Sequence, residues 1–258
     1  MNNKLLNKLS DQLVKAFLKN KIIKALPKSI TKKMGPANRF RQLCETKIKE
    51  QIVGYKAAGT GIALIKKLKE KEPFYATVYK RNFLKSGKKV KINNSTLGIE
   101  LEICYEIKKS FFLSKESITK KNISKYISHI APCIEIVGYR QRKKGITSFG
   151  DLCSDFGANV KFLIGHKKKY KRQNVINLKT NIFNKKINQN VNGNTNSVYI
   201  NPLNSLKFVL NKLRKDKINI KKNFYIFTGS TVGVVPILSK GLYVGKIDKI
   251  GSVKAIIN

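Results

Sequence analysis

Glu100 and Glu102 lie two residues apart in LGIELEICYEI, residues 97–107, interleaved with Ile99, Leu101 and Ile103. Side chains alternate along a strand, so the two carboxylates share one face and the aliphatic residues the other. Two carboxylates held that close repel unless a cation or a proton sits between them. A hard divalent ion such as Mg²⁺ or Mn²⁺ is the natural cation, because it takes oxygen ligands and keeps water-filled positions. Two ligands make a weak site, and APCIEIVGY offers a third in Glu135, set between Ile134 and Ile136. A lone charge in that apolar run is expensive without a partner. The competing reading is a solvent-facing edge strand whose glutamates pair with lysines. Glu106, with charged neighbours, reads as a surface residue of that kind.

The elements that must carry these residues fall into two regions. Residues 1–50 read as helical: a first helix with Leu6, Leu9, Leu13 and Phe17 at helical spacing, a break at LPKSITKKMGPANR, and a second helix around FRQLCETKIKEQ. Residues 51–258 turn to short apolar runs, alternation and turns, which signal strands. Candidate strands are QIVGYKA, TLGIELEICYEI, APCIEIVGY, VKFLIG, NVINLKTNIF, QNVNG, NFYIFTG, LYVGKID and GSVKAIIN, with a hairpin tip at Asn184–Lys185. Helices are expected at TKKNISKYISHI and at NPLNSLKFVLNKLRK, where Leu206, Val209, Leu210 and Leu213 mark one face. GHKKKYKRQ reads as an exposed loop. The expectation is a single α+β domain over residues 1–258: N-terminal helices, then a mixed, mostly antiparallel β-sandwich or roll.

Composition narrows the class. The chain carries 54 Lys and Arg against 14 Asp and Glu, a formal charge of +40. Such a balance invites a nucleic-acid reading. However, 47 of the cations are Lys and only 7 are Arg, spread along the whole chain, and there is no Trp. Phosphate and base recognition favours the bidentate fork of Arg. The charge therefore reads as a solvated, compositionally biased surface, and a nucleic-acid partner is not expected. Cys44, Cys104, Cys133 and Cys153 lack CxxC spacing and sit in apolar contexts, as reduced thiols of a cytoplasmic protein do. No apolar run approaches the ~18 residues of a membrane span. The basic, amphipathic N-terminus resembles a transit peptide in outline, but Asp11 interrupts it and Arg is absent, so an ordinary first helix is expected.

The ordered set GYKAAGT, GIELEI, APCIEIVGYR, SDFGANVKFLIG, NPLNSLKFVLNKL, FTGSTVG and KIGSVKAIIN resembles one family. It is the 2-oxopent-4-enoate hydratase / 4-oxalocrotonate decarboxylase group of the fumarylacetoacetate hydrolase superfamily, and the resemblance spans nearly the whole chain. It implies a metal-dependent hydratase, a lyase of aromatic catabolism acting on a 2-hydroxydienoate or 2-oxoalkenoate, with a decarboxylase or C–C bond hydrolase of the same superfamily as the alternative. The enzyme would be a homo-oligomer in which Glu100, Glu102 and Glu135 hold Mg²⁺ or Mn²⁺. The ion would chelate a 2-oxo acid and stabilise an enolate. Lys56 of GYK would lie beside the substrate, as a fixed cation and, if burial lowers its pKa, as a proton carrier. Thr228, Gly229 and Ser230 would form the substrate-side turn. Asp155 matches a family aspartate, and the resemblance makes it a catalytic candidate. Phe74 and Tyr75 stand where many members carry an acid, so Tyr75 becomes the candidate acid/base group, and Asn201 stands where a Gly-His pair is common. Hydration, decarboxylation and C–C hydrolysis share the same enolate, so the ligands do not separate them. A non-enzymatic relative recruited to an RNA-containing assembly is the remaining alternative.

Overall fold

The computed structural model of the protein describes residues 2–19, 21–142 and 146–258. The first helix, Asn3–Lys19, buries Leu13, Val14 and Phe17 against the domain, with Leu6 and Leu9 packed at the edge of the same cluster. The chain breaks at Pro27, which precedes the single turn Lys28–Thr31, and the next helix is Met34–Thr46. That helix begins earlier than the sequence suggests, with Gly35 and Pro36 in its first turn. Proline is tolerated there because the first-turn N–H groups have no intrahelical acceptor.

From Ile52 onward the described residues build two large sheets, and a third, two-stranded one pairs Ile23–Lys24 in parallel with Gln141–Arg142. The larger has eight strands, seven of them in the order Phe74–Tyr79, Ile52–Ala58, Phe224–Ser230, Thr96–Ile107, Ile127–Gly138, Asn159–Ile164 and Phe83–Lys85. The eighth, Lys168–Lys169, pairs separately with Ile127–Gly138. Pairing is antiparallel except at Phe224–Ser230 on Ile52–Ala58 and at Phe83–Lys85 on Asn159–Ile164. The second sheet has five strands: Gln189–Asn194, Lys179–Asn184, Gly241–Ile247, Gly251–Ile257 and Lys89–Val90. The expected hairpin is present, with Asn184 opposite Gln189.

The two long central strands explain the interleaving of LGIELEICYEI. Their aliphatic face, with Leu101 and Ile134, packs on the second sheet. The approach is so close there that a Cβ on Gly245 would lie 2.6 Å from the Leu101 methyl. The opposite face carries the glutamates. Beyond them it continues into Cys104, Ala131, Cys133, Phe162 and Phe227, a buried apolar plug.

Some local expectations differ from the structure. TKKNISKYISHI forms only the 3₁₀ turn Ile123–Tyr126, and Ile127 already begins the long strand. Pairing with two neighbours over its length outweighs a helical pattern that competes only locally. The strand Phe74–Tyr79 and the helices Ile62–Lys67 and Phe149–Ser154 lie outside the expected set. Each helix has six residues, too few for a periodic signal, although Ser148 and Asp151 form a capping box before the second. All four cysteines are buried and free.

Candidate metal centre and substrate cavity

Strand register brings the three glutamates together. Glu100 lies directly opposite Glu135 across the Thr96–Ile107 and Ile127–Gly138 pair, and Glu102 opposite Cys133. Residues i, i+2 and the cross-strand partner thus share one face. One oxygen from each of Glu100, Glu102 and Glu135 lies within 4.8 Å of the others. Glu102 and Glu135 are fully buried, while Glu100 reaches the floor of a cavity of about 400 Å³.

Lys56 enters from the strand Ile52–Ala58 and is also buried. Its Nζ donates to Glu135 Oε1 at 2.5 Å and to the Gly157 carbonyl at 3.1 Å. The Gly229 N–H donates to Glu102 Oε2 at 2.8 Å and so sets the plane of that carboxylate. Glu102 Oε1 and Glu135 Oε2 are buried and receive no hydrogen bond from any other group, although the two carboxyls lie close enough to share a proton when one is protonated. Three carboxylates facing one ammonium leave two negative charges uncompensated when all are ionised. Orphaned buried oxygens, all of carboxylate type and within reach of a common point, fit a hard divalent cation.

Without a cation the carboxylates hold protons instead. Burial pushes Glu100 and Glu102 up to about 7, against the opposing pull of Lys56. Burial raises Glu135 well above the usual carboxylate range despite its ion pair. Burial alone would pull the Lys56 ammonium down, but Glu135, Glu100 and Glu102 outweigh it and its pKa is raised. The condition for a proton-carrying Lys56, a pKa lowered by burial, is not met beside the three metal-free carboxylates, which leaves the other expected part, a fixed cation. The sign of the stability effect follows. The folded chain keeps carboxyl protons that the unfolded chain, titrating near pH ~4.3, has already released. That contribution is present at low pH and is lost as pH rises through about 7. In chelator, the thermal midpoint should therefore fall from pH ~5 to about 7, level off above that, and fall less in Glu102→Gln. A midpoint that is flat or rising in the wild type, or an equal fall in both proteins, would refute the assignment.

Gly157 belongs to a turn in which Phe156, Gly157 and Ala158 all have positive φ, at 53°, 65° and 61°. Non-glycine residues rarely adopt this region, and it persists only when the surroundings enforce it. Enforcement comes from both sides. The Asn159 amide donates to the carbonyls of Phe156 and Thr77. Asp155 accepts from the Arg140 backbone N–H at 2.5 Å and from its guanidinium at 2.9 Å. The Arg140 guanidinium also donates to the Asn159 carbonyl and lies over the Phe17 ring. Asp155 thus holds the turn that presents the Gly157 carbonyl to Lys56. It is fully buried and is not among the residues that line the cavity.

Tyr75 is also displaced from the expected role. In the strand register Lys56 faces Ala76, and Tyr75 is paired with Ala57 one position along, on the other face. Its hydroxyl donates to Asp216 at 2.6 Å, and Arg41 lies over its ring. Of the FTGS turn, Gly229 and Ser230 line the cavity, whereas Thr228 turns away and donates to the Ile103 carbonyl at 3.0 Å. Ser230 Oγ donates to the Gly233 carbonyl at 2.8 Å. Thr60, the last residue of GYKAAGT, lies against Gly229, where an added Cβ would come within 2.0 Å of its Oγ1. Gly229 has φ +103°, so both backbone and space demand glycine. Asn201 serves as N-cap of the helix Pro202–Lys215, accepting from the Asn204 N–H. Glu106 pairs at the surface with Lys167 at 2.8 Å, as expected.

No family model and no curated protein matches the chain. Solved structures do. 4-Oxalocrotonate decarboxylase from Pseudomonas putida G7, complexed with magnesium and adipate, superposes with a TM-score of 0.84 at 18% identity, covering 100% of this chain and 99% of that one. The same enzyme complexed with calcium and acetate gives 0.83 at 17% identity, with the same coverage. 5-Carboxymethyl-2-hydroxymuconate delta-isomerase from Mycobacterium smegmatis gives 0.57 at 12% identity, covering 80% of this chain and 79% of that one. The protein has the mixed α/β fold of the fumarylacetoacetate hydrolase type, matched along its whole length by 4-oxalocrotonate decarboxylase.

Proposed function

We propose that the protein is a divalent-metal-dependent lyase of the hydratase/decarboxylase group, acting on a small 2-oxoalkenoate or its 2-hydroxydienoate form by adding water. The observation that carries this is the convergence of Glu100, Glu102 and Glu135 beside the buried Lys56 at a cavity floor. The two orphaned oxygens, Glu102 Oε1 and Glu135 Oε2, support the metal. So do the magnesium and calcium in the 4-oxalocrotonate decarboxylase structures. Glu100, Glu102 and Glu135 would hold Mg²⁺ or Mn²⁺, which supplies Lewis-acid polarisation of a 2-oxo acid.

The chain's own groups do the rest. Lys56 keeps a positive charge beside the carboxylates and offsets the charge of an enolate as it develops. The wall around it, with Ala57 and Ala58, excludes water, which makes that attraction strong. The Gly157 carbonyl and Glu135 hold the ammonium in place. The second reading is decarboxylation, favoured by the end-to-end likeness to 4-oxalocrotonate decarboxylase. A UV assay on a panel of 2-oxoalkenoates and 2-oxoalkenedioates, with and without Mg²⁺, separates the two. Mg²⁺-dependent loss of conjugation without CO₂ release is expected; stoichiometric CO₂ release supports the decarboxylase. Turnover unaffected by chelation, or no turnover of either class, defeats the lyase reading.

A further inference from the structure

The Lys56 ammonium is held from two sides by unlike means. Glu135 belongs to a long strand paired along both edges within the central sheet. The other acceptor, the Gly157 carbonyl at 3.1 Å, belongs to a turn with φ of 53°, 65° and 61° at Phe156, Gly157 and Ala158. Left-handed backbone at a phenylalanine and an alanine persists only where the surroundings impose it. Part of that restraint comes from outside the β core. The Phe156 ring is fully buried in the N-terminal helical cluster, where every other buried member precedes residue 80. There its centroid lies 4.4 Å from that of Phe17, on the first helix. The Arg140 guanidinium, which donates to Asp155 before the turn and to the Asn159 carbonyl after it, lies 4.9 Å from the centre of the same Phe17 ring. Phe17 thus touches both restraints on the turn, yet it is not among the residues that line the cavity.

We propose that Phe17 is a positioning residue for Lys56: through Phe156 and Arg140, the N-terminal helix holds the turn whose Gly157 carbonyl fixes the ammonium. The inference rests on the reading of Lys56 as the fixed cation of the glutamate site. An ammonium between a carboxylate and a carbonyl has one place to stand. When the Phe156 backbone relaxes, the Gly157 peptide turns and its carbonyl leaves the ammonium. Of the two described acceptors only Glu135 then remains, and the flexible lysine stem lets the charge move with it. A misplacement of ~1 Å can cost about 10²-fold in rate, so a contact remote from the cavity reaches the chemistry.

The test compares Phe17→Leu with the wild type, each also in the Lys56→Met background. Leucine keeps the cluster filled but takes the ring away from Phe156 and Arg140. One readout is Mg²⁺-dependent turnover of 2-oxopent-4-enoate, well below the thermal midpoint of every variant. The other is the NMR signal of the Lys56 ammonium in protein isotope-labelled at lysine, assigned by its absence from Lys56→Met. The wild type should give a resolved signal, which Phe17→Leu shifts or broadens. Turnover should fall about tenfold or more in Phe17→Leu, with KM and Mg²⁺ affinity changed less than about twofold. In the Lys56→Met background the same substitution should change turnover less than about twofold, because residues acting through one another are not additive. The proposal is overturned if Phe17→Leu keeps wild-type turnover or an unchanged ammonium signal, or if the wild type gives no resolved signal. An equal fall in both backgrounds also overturns it, since that marks a general loss of stability. If the wild type does not turn over 2-oxopent-4-enoate, that counts against the lyase reading alone, and the ammonium signal still decides whether Phe17 positions Lys56.

Discussion

Glu102→Gln is expected to lower turnover by at least ~10³-fold and to weaken Mg²⁺ binding by more than ~100-fold, while making the metal-free protein more stable. The substitution keeps volume and shape. The Gln carbonyl can still accept from the Gly229 N–H, the bond that orients Glu102 Oε2. What disappears is one buried negative charge beside Glu100 and Glu135. Loss of a ligand charge should exceed the 10–100-fold typical of losing a mere orienting partner. Burial already forces Glu102 to hold a proton up to about pH 7, so replacing it relieves desolvation and repulsion in the apo state. The three readouts are kinetics, Mg²⁺ titration and thermal midpoint in chelator. A destabilised variant with unchanged Mg²⁺ affinity would show that Glu102 serves packing rather than a metal.

Lys56→Met should reduce turnover by ~10²- to 10³-fold at saturating Mg²⁺, and change Mg²⁺ affinity far less. The oxygens of the three glutamates are untouched by the change, but the one buried ammonium beside them is gone. Its removal leaves the charge of the reacting enolate without a fixed cation in a water-poor site, where such an interaction is strongest. Lys56→Arg should recover little. The Lys56 stem runs past Gly157, where even an added Cβ would meet the Lys56 Cδ at 3.6 Å and Ala76 at 3.1 Å. A guanidinium is wider than an ammonium and cannot take the same compact position. Normal turnover in Lys56→Met, or full recovery in Lys56→Arg, would remove Lys56 from the mechanism.

Tyr75 and Asp155, named from the family resemblance, both lie outside the cavity lining. Tyr75 occupies the expected stretch of sequence, yet one position of strand register places Ala76, not Tyr75, on the Lys56 face. A one-residue offset in a strand always exchanges faces, and nothing local in EPFYATVY reveals which residue opposes Lys56. Asp155 does sit near the site, but its partner is Arg140, whose backbone N–H and guanidinium both donate to it. That pairing joins two segments through a turn of left-handed residues, a conformation the sequence SDFGAN suggests only at its glycine.

By itself, the sequence determined the pattern that alternation can express. Apolar residues on one face of Thr96–Ile107 and carboxylates on the other predict both a sandwich core and a cation-hungry face. It also determined the helical start and the helix Pro202–Lys215, whose buried Leu206, Val209, Leu210 and Leu213 repeat at helical spacing. Only the tertiary structure decided that Glu135 stands opposite Glu100 and that Lys56 reaches Glu135 across 79 residues of chain. It likewise decided that two six-residue helices bring Leu64 and Leu152 to the cavity lining. The reason is physical: periodicity is a property of neighbours in the chain, whereas a site is made by register between distant strands. Short helices and turns held by packing leave almost no periodic trace for a sequence to display.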